Sequence, residues 1–248
     1  MDVKKMNNKF QARIKFFSFV FVLLASLFSV QASALQMNPL SVVLKPSGGG
    51  AKQSFKVTNE SNQPIAVQFS VTTRQQHNNK EIRKPADKDF MIYPPQTIIP
   101  ARSTQKVRVE WLGAGNIPRE QAYRLIAEQV YVSLDDKEQT GVKMLMTLVG
   151  ALYVQPSNTK SNLQVKALQA QGNKLAVTVA NSGNRHQLMR FATLTLRNGG
   201  KVISLKGKHQ LAGLEGNNVL GGATKRFFIP LPKGFVNGSW TAALKYPR

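Results

Sequence analysis

The apolar residues of this chain alternate with polar ones instead of recurring every three or four positions. Alternating or β-branched runs bounded by Gly, Pro and Asn occupy residues 40–44, 53–58, 65–73, 90–93, 105–111 and 121–132. Period two is the mark of a strand with one buried face. The longest such pattern covers residues 140–156, where Val142, Met144, Met146 and Leu148 share one face and Lys143 and Thr147 interrupt the other. Seventeen residues exceed the usual strand of about five or six, so half of this strand has no obvious cover. Methionines on such a face suit a surface that repacks against varied apolar partners. Ordinary core is the alternative, and periodicity alone does not separate the two.

Seven strands in about 120 residues is the count of an immunoglobulin-like sandwich. Residues 154–160, Val-Gln-Pro-Ser-Asn-Thr-Lys, then turn polar around Pro156 and predict a short hinge. Six further strand candidates follow at 163–168, 174–180, 191–196, 201–205, 225–229 and 239–246, with Asn198-Gly199-Gly200 as a tight hairpin turn. No run reads as a helix. The glycine-rich stretches 48–51 and 213–222 open no helix that would cradle a phosphate, and read as flexible loops. The expected fold is all-β: two immunoglobulin-like β-sandwich domains joined by a short hinge.

Composition adds a compartment. Lys4, Lys5, Lys9, Arg13 and Lys15 precede the apolar run 16–30, and Ala32-Ser33-Ala34 supplies a small-x-small cleavage site, so residues 1–34 read as an export signal. The domains then run 35–156 and 157–248. The signal's apolar run falls short of the roughly 20 residues of a spanning helix, so no stable membrane insertion is expected. The chain has no cysteine, so its cores rest on apolar burial and not on disulfides. Five basic residues and one acidic residue lie in the signal, so a formal charge of +22 becomes +18 in the remainder. That balance points to anionic partners. Export and the lack of an aromatic-interleaved basic motif exclude nucleic acid.

Candidate chemistry is sparse. His77, His186 and His209 lack ligand spacing, which argues against zinc, and each reads as a surface residue. The adjacent acidic pair Asp135-Asp136 lies in a polar loop, and no nucleophile elbow or other catalytic signature occurs. A non-enzyme without cofactor or metal is expected.

Several motifs occur in a telling order: Asn38-Pro39-Leu40, Val57-Thr58-Asn59, Tyr93-Pro94-Pro95, Glu120-Gln121-Ala122-Tyr123-Arg124-Leu125 and Leu152-Tyr153-Val154-Gln155-Pro156. In order and spacing they resemble the periplasmic pilus assembly chaperones of the chaperone-usher pathway, the PapD-like family. The resemblance covers nearly all of residues 35–156 and rests on architecture beyond Pro156. It implies a periplasmic chaperone, of the Gram-negative type, that captures pilus subunits by donating alternate apolar residues of its long strand, and delivers them to an outer-membrane usher. Matching the strand up to its hinge proline places the donors at Val142, Met144, Met146 and Leu148.

Better-known members clamp the subunit's terminal carboxylate with an arginine and a lysine, whose positions here are about Ser41 and Ala151. Neither can do so. Tyr123-Arg124-Leu125 instead resembles the archaic class, in which an arginine of the preceding strand anchors that terminus. The resemblance thus implies Arg124 as anchor, with Tyr123 beside it and Lys143 and Arg108 as weaker members of the patch; a surface ion pair is the alternative for Arg124. Familiar members also lock their domains through a glutamate and an arginine. Glu128 matches the former, but Gln155 replaces the latter, leaving Arg185 or Arg190 as substitutes. An uncovered apolar strand invites self-association, so the free form is expected to protect it, by disorder in 135–141 or by pairing of two copies.

The competing readings are a secreted structural pilus component and another β-sandwich binding protein. A pilin would carry a donor segment after its signal, and Leu35-Gln36-Met37-Asn38 is too short for one. A sugar-binding sandwich would stack ligands on Trp111 or Trp240, for which core packing is the favoured reading.

Overall fold

The computed structural model describes residues 35–77, 79–131, 144–236 and 238–246. The first described strand is β1 (Leu35–Asn38), and after Pro39 the chain changes sheets into β2 (Ser41–Leu44). There follow β3 (Lys52–Asn59), β4 (Ile65–Thr73), β5 (Gln75–His77), β6 (Lys80–Ile82), β7 (Phe90–Tyr93), β8 (Gln96–Ile99), β9 (Thr104–Trp111), β10 (Gln121–Val130) and β11 (Thr147–Val154). One sheet has the order β1-β3-β9-β7 and the other β2-β11-β10-β4-β8, while β5 and β6 form a separate hairpin. Alternation packs the two sheets: Phe55, Val57, Val107 and Val109 from the first meet Val67, Val71, Leu125 and Leu152 from the second, all buried. At one end Phe90, Trp111 and Tyr123 form an edge-on aromatic cluster, with ring centroids 4.9 to 5.7 Å apart.

The second sandwich comprises β12 (Leu163–Gln171), β13 (Lys174–Asn181), β14 (Gln187–Leu188), β15 (Thr193–Asn198), β16 (Lys201–Lys206), β17 (Asn218–Val219), β18 (Thr224–Pro230) and β19 (Thr241–Lys245). Its sheets are β12-β13-β18 and β16-β15-β19, with β14 and β17 paired apart. Asn198 and Lys201 pair across a two-residue turn in which Gly199 takes φ +55°, the left-handed region that glycine enters without strain. The molecule is thus all-β with two sandwiches, as expected.

Several details differ from the sequence reading. β1, β5, β6, β8, β14 and β17 escape it, because each spans four residues or fewer and shows no sustained alternation. Among the described residues a helical turn, Gly207–Gln210, interrupts the strands, and Gly48–Ala51 and Asp87–Asp89 are 3-10 turns. The regular part of the long strand begins at Thr147, and residues 140–143 of the expected strand lie outside the described ones. Trp111 is buried as expected, whereas Trp240 is only partly buried, stacked on Phe235 at 4.9 Å.

Each sandwich is pinned by one buried asparagine at a strand end. The Asn59 amide donates to the carbonyls of Gln63, Ile99 and Pro100, and its oxygen accepts from the backbone and hydroxyl of Ser61. Asn181 does the same in the second sandwich, donating to Arg185 and Val219 and accepting from Asn162 and Gly183. Its turn admits only glycine at 183, where a Cβ would stand 2.2 Å from the Lys160 carbonyl. Buried carbonyls left unpaired cost about 1 to 3 kcal/mol. Asn59→Ala and Asn181→Ala are therefore each expected to lower stability by about 2 to 3 kcal/mol, read as a shift of the urea midpoint at unchanged slope.

Candidate functional site

β10 and β11 pair antiparallel through eight residues, and directly opposed residues share a face. One face carries Tyr123, Leu125, Ala127, Leu152 and Val154 into the first core. The opposite face carries Ala122, Ala151 and Tyr153 against the second core, so the pair belongs to both sandwiches.

Two features stand on this pair. The first is the core-facing row of β11 continued backwards. Leu148 and Met146 are partly buried against the first core, whereas Met144 is 86% exposed and Leu145 51%. The row therefore leaves its own sandwich between Met146 and Met144. β10 still follows it, since the Gln129 N–H donates to the Met146 carbonyl at 2.9 Å. On the other edge β2 pairs only with Ala151 to Val154, so residues 147–150 have no partner strand there among the described residues. Val142 and Lys143, with the loop 135–141, lie outside the described residues.

The second feature is a guanidinium cluster on the outer face. Ser41, Ala151, Arg124 and Thr72 lie opposite one another across β2, β11, β10 and β4, in one row. Arg124 thus stands one strand, about 4.8 Å, from the Ala151 position where the family resemblance places a lysine. Its side chain is not free. Arg124 Nε and Nη2 donate to the two oxygens of Glu81 at 2.9 and 2.5 Å, a two-pronged pair. Arg74 Nε and Arg83 Nε each donate to the same carboxylate at 2.7 Å. Arg74 is buried and spends its other nitrogens on the Tyr153 hydroxyl, 2.8 Å, and the Asn218 side chain, 2.9 Å.

Other expected members fall elsewhere. Tyr123 is buried on the core face, its hydroxyl 2.5 Å from Gln121 Oε1, so it does not stand beside Arg124. Arg108 lies on β9 in the other sheet, exposed and paired with Glu110 at 3.1 Å.

The domain junction also differs from expectation. Glu128 is exposed at the end of β10 remote from Gln155, opposite Thr147. Glu120 makes the contact instead: its carboxylate takes the backbone N–H and ring Nδ1 of His186, each at 2.8 Å, and its own N–H donates to the Asn184 carbonyl. His186 is therefore not a surface histidine; its ring stacks on Tyr153 at 3.8 Å. The polar hairpin β5–β6 is a further tie. Gln76 bonds Asn218 and Leu220, and the Asn79 side chain both donates to and accepts from the Arg226 backbone. No sequence pattern announces these long-range contacts, although Glu120 opens the quoted motif.

Burial alone would raise the Glu81 carboxyl, but hydrogen bonds from Arg124, Arg83 and Arg74 outweigh it and hold the carboxyl down at about 2. Burial also lowers the nearby Lys225, helped by the charge of Arg74, and raises the Tyr153 hydroxyl. A depressed carboxylate stabilises the fold fully above its ordinary value near 4.5 and loses that contribution as pH falls toward 2. Glu81→Gln is thus expected to be less stable than wild type at pH 7. The gap should close between about pH 4.5 and pH 2 in an acid-denaturation series.

The profile of the family described as pili and flagellar-assembly chaperone, PapD N-terminal domain, matches residues 34–160, just over half of the chain. No curated protein sequence matches. Among solved structures, the fold resembles a chain of the CsuC-CsuE chaperone-tip adhesion subunit complex from the archaic Csu pili of Acinetobacter baumannii. The identity is 17% and the TM-score 0.56, with 82% of this chain and 90% of that one covered. The class 5 fimbriae chaperone CfaA is similar at 17% identity and TM-score 0.53, over 87% and 100% of the two chains. A chain of the Salmonella enterica SafA pilin–SafB chaperone complex gives 21% and 0.53, over 82% and 86%. With both sandwiches and the profile match in agreement, the chain belongs to the PapD-like family of pilus assembly chaperones.

Proposed function

We propose that this chaperone captures pilus subunits in the periplasm by donating the core-facing row of β11 to a subunit sandwich that lacks a strand, and that it passes them to an outer-membrane usher. Residues 1–34 serve export, and the units 35–156 and 157–248 form the mature protein. The observation that carries the reading is the exit of an apolar row from its own core: Leu148 and Met146 packed, Met144 exposed, beside an edge with no partner strand at 147–150 among the described residues. Val142 extends the row by sequence. The CsuC-CsuE and SafA-SafB structures are complexes of chaperones with a tip subunit and a pilin, which supports a subunit as the occupant. Three aliphatic donors contribute up to about 5 to 9 kcal/mol, comparable to the whole stability of a domain at about 5 to 15.

Arg124 takes the subunit's terminal carboxylate in this reading. A guanidinium offers the planar fork that a carboxylate fits, and Lys does not reproduce it.

The partial burial of Met146 separates the two methionines. Met144→Asp is expected to abolish co-purification of a co-expressed pilin subunit while changing the free protein's stability by less than about 0.5 kcal/mol. Met146→Ser is expected to weaken capture and also lower Tm. A Tm collapse in Met144→Asp, or undiminished capture, would return the row to ordinary core.

A further inference from the structure

The anchor proposed above is already filled. Arg124 presents its Nε and Nη2 edge to Glu81, the edge a terminal carboxylate would take in two-pronged fashion. Arg74, 7% exposed at its side chain, already donates from each of its three nitrogens, to Glu81, Tyr153 and Asn218. Glu81 is contributed not by the β10–β11 scaffold but by β6, in a hairpin whose pairing covers three residues a side. The Asn79 and Gln76 side chains tie the hairpin to the second sandwich independently of Glu81, so the Glu81 side chain can turn while the hairpin stays in place and β10 keeps Arg124.

Resting on the reading of Arg124 as anchor, we propose that Glu81 is an internal stand-in for the subunit's terminal carboxylate, held on Arg124 in the free chaperone and exchanged for that carboxylate at capture. The exchange is electrically level: three guanidinium groups face one carboxylate before and after. This matters because partly buried arginines without an anion are strongly destabilising. An empty anchor would be costly, and an anchor closed by a fixed group would be useless; a carboxylate on a neighbouring hairpin avoids both. The arrangement also provides selectivity, since only a chain end that reaches Arg124 with a free carboxylate can replace Glu81. The charged groups around the exchange are Arg74, Arg83, Arg124 and Lys225, with Glu120 held by His186 nearby.

The test uses the full chain and a pilin subunit that the wild type captures, with its native C-terminus or extended by two glycines. If the anchor is open in about a tenth of free molecules, Glu81→Gln tightens capture of the native subunit about tenfold, and Arg124→Ala removes both capture and the gain. The extended subunit should gain nothing from Glu81→Gln. Equal or weaker capture by a folded Glu81→Gln, with Arg124→Ala still defective, overturns the exchange and leaves the anchor standing. Normal capture by Arg124→Ala overturns the anchor itself. Because Glu81→Gln can lose stability, a crystal structure of the wild-type complex gives the second reading. The terminal carboxylate on Arg124 with Glu81 turned away supports the exchange, and Glu81 still on Arg124 beside the terminus overturns it. A terminus seated elsewhere overturns both proposals.

Discussion

One pair of strands has two faces, and in this protein neither face is spare. β10 and β11 hold the first core on one side and present Arg124, Ala151, Ala122 and Tyr153 to the junction on the other. Because period two ties every residue to a face, a register slip of one would bring Arg124 into the core and Leu125 into the cleft. The positions of the apolar row and the guanidinium cluster are therefore one constraint. Arg124 and the row as far back as Met146 are fixed by the same ladder of hydrogen bonds.

The electrostatics of the cleft follow from that placement. The Arg74 and Arg124 side chains are mostly buried, and partly desolvated cations require an anion close by. Glu81 answers the requirement within the chain, and the three guanidinium groups hold its carboxyl below the ordinary range. The junction adds further groups, Glu120 with His186 stacked on Tyr153. The lock between sandwiches and the anion site are joined through Arg74, which bonds Glu81 as well as Tyr153 and Asn218.

Local alternation made the framework legible. β4 appears with the bounds its pattern gives, and the alternating Val107, Val109 and Trp111 are buried as period two requires. The hairpin β5–β6 was not legible, since Gln75-Gln76-His77 and Lys80-Glu81-Ile82 show no apolar alternation and make their tertiary contacts with Asn218 and Arg226 more than 140 residues away. Sequence separation also hid the pairing of Glu81. Its partner Arg124 is 43 residues along the chain, and nothing in a one-dimensional pattern unites them. His186 was misplaced for a related reason: a polar ring with no periodic neighbours reads as surface, until the Glu120 that satisfies it is brought from the other sandwich.

In the proposed function the apolar row of β11 continues past its own core so that another chain can complete it. Amide hydrogen exchange across 144–154, in the free chaperone and in a complex with a pilin subunit, tests this most directly. In the free protein the amides of 144–147 should exchange fast and those of Leu152, Tyr153 and Val154 slowly, with the first group becoming protected on capture. Slow exchange along the whole stretch in a free monomer, unchanged by the subunit, would mean that the row is already covered and has nothing to donate.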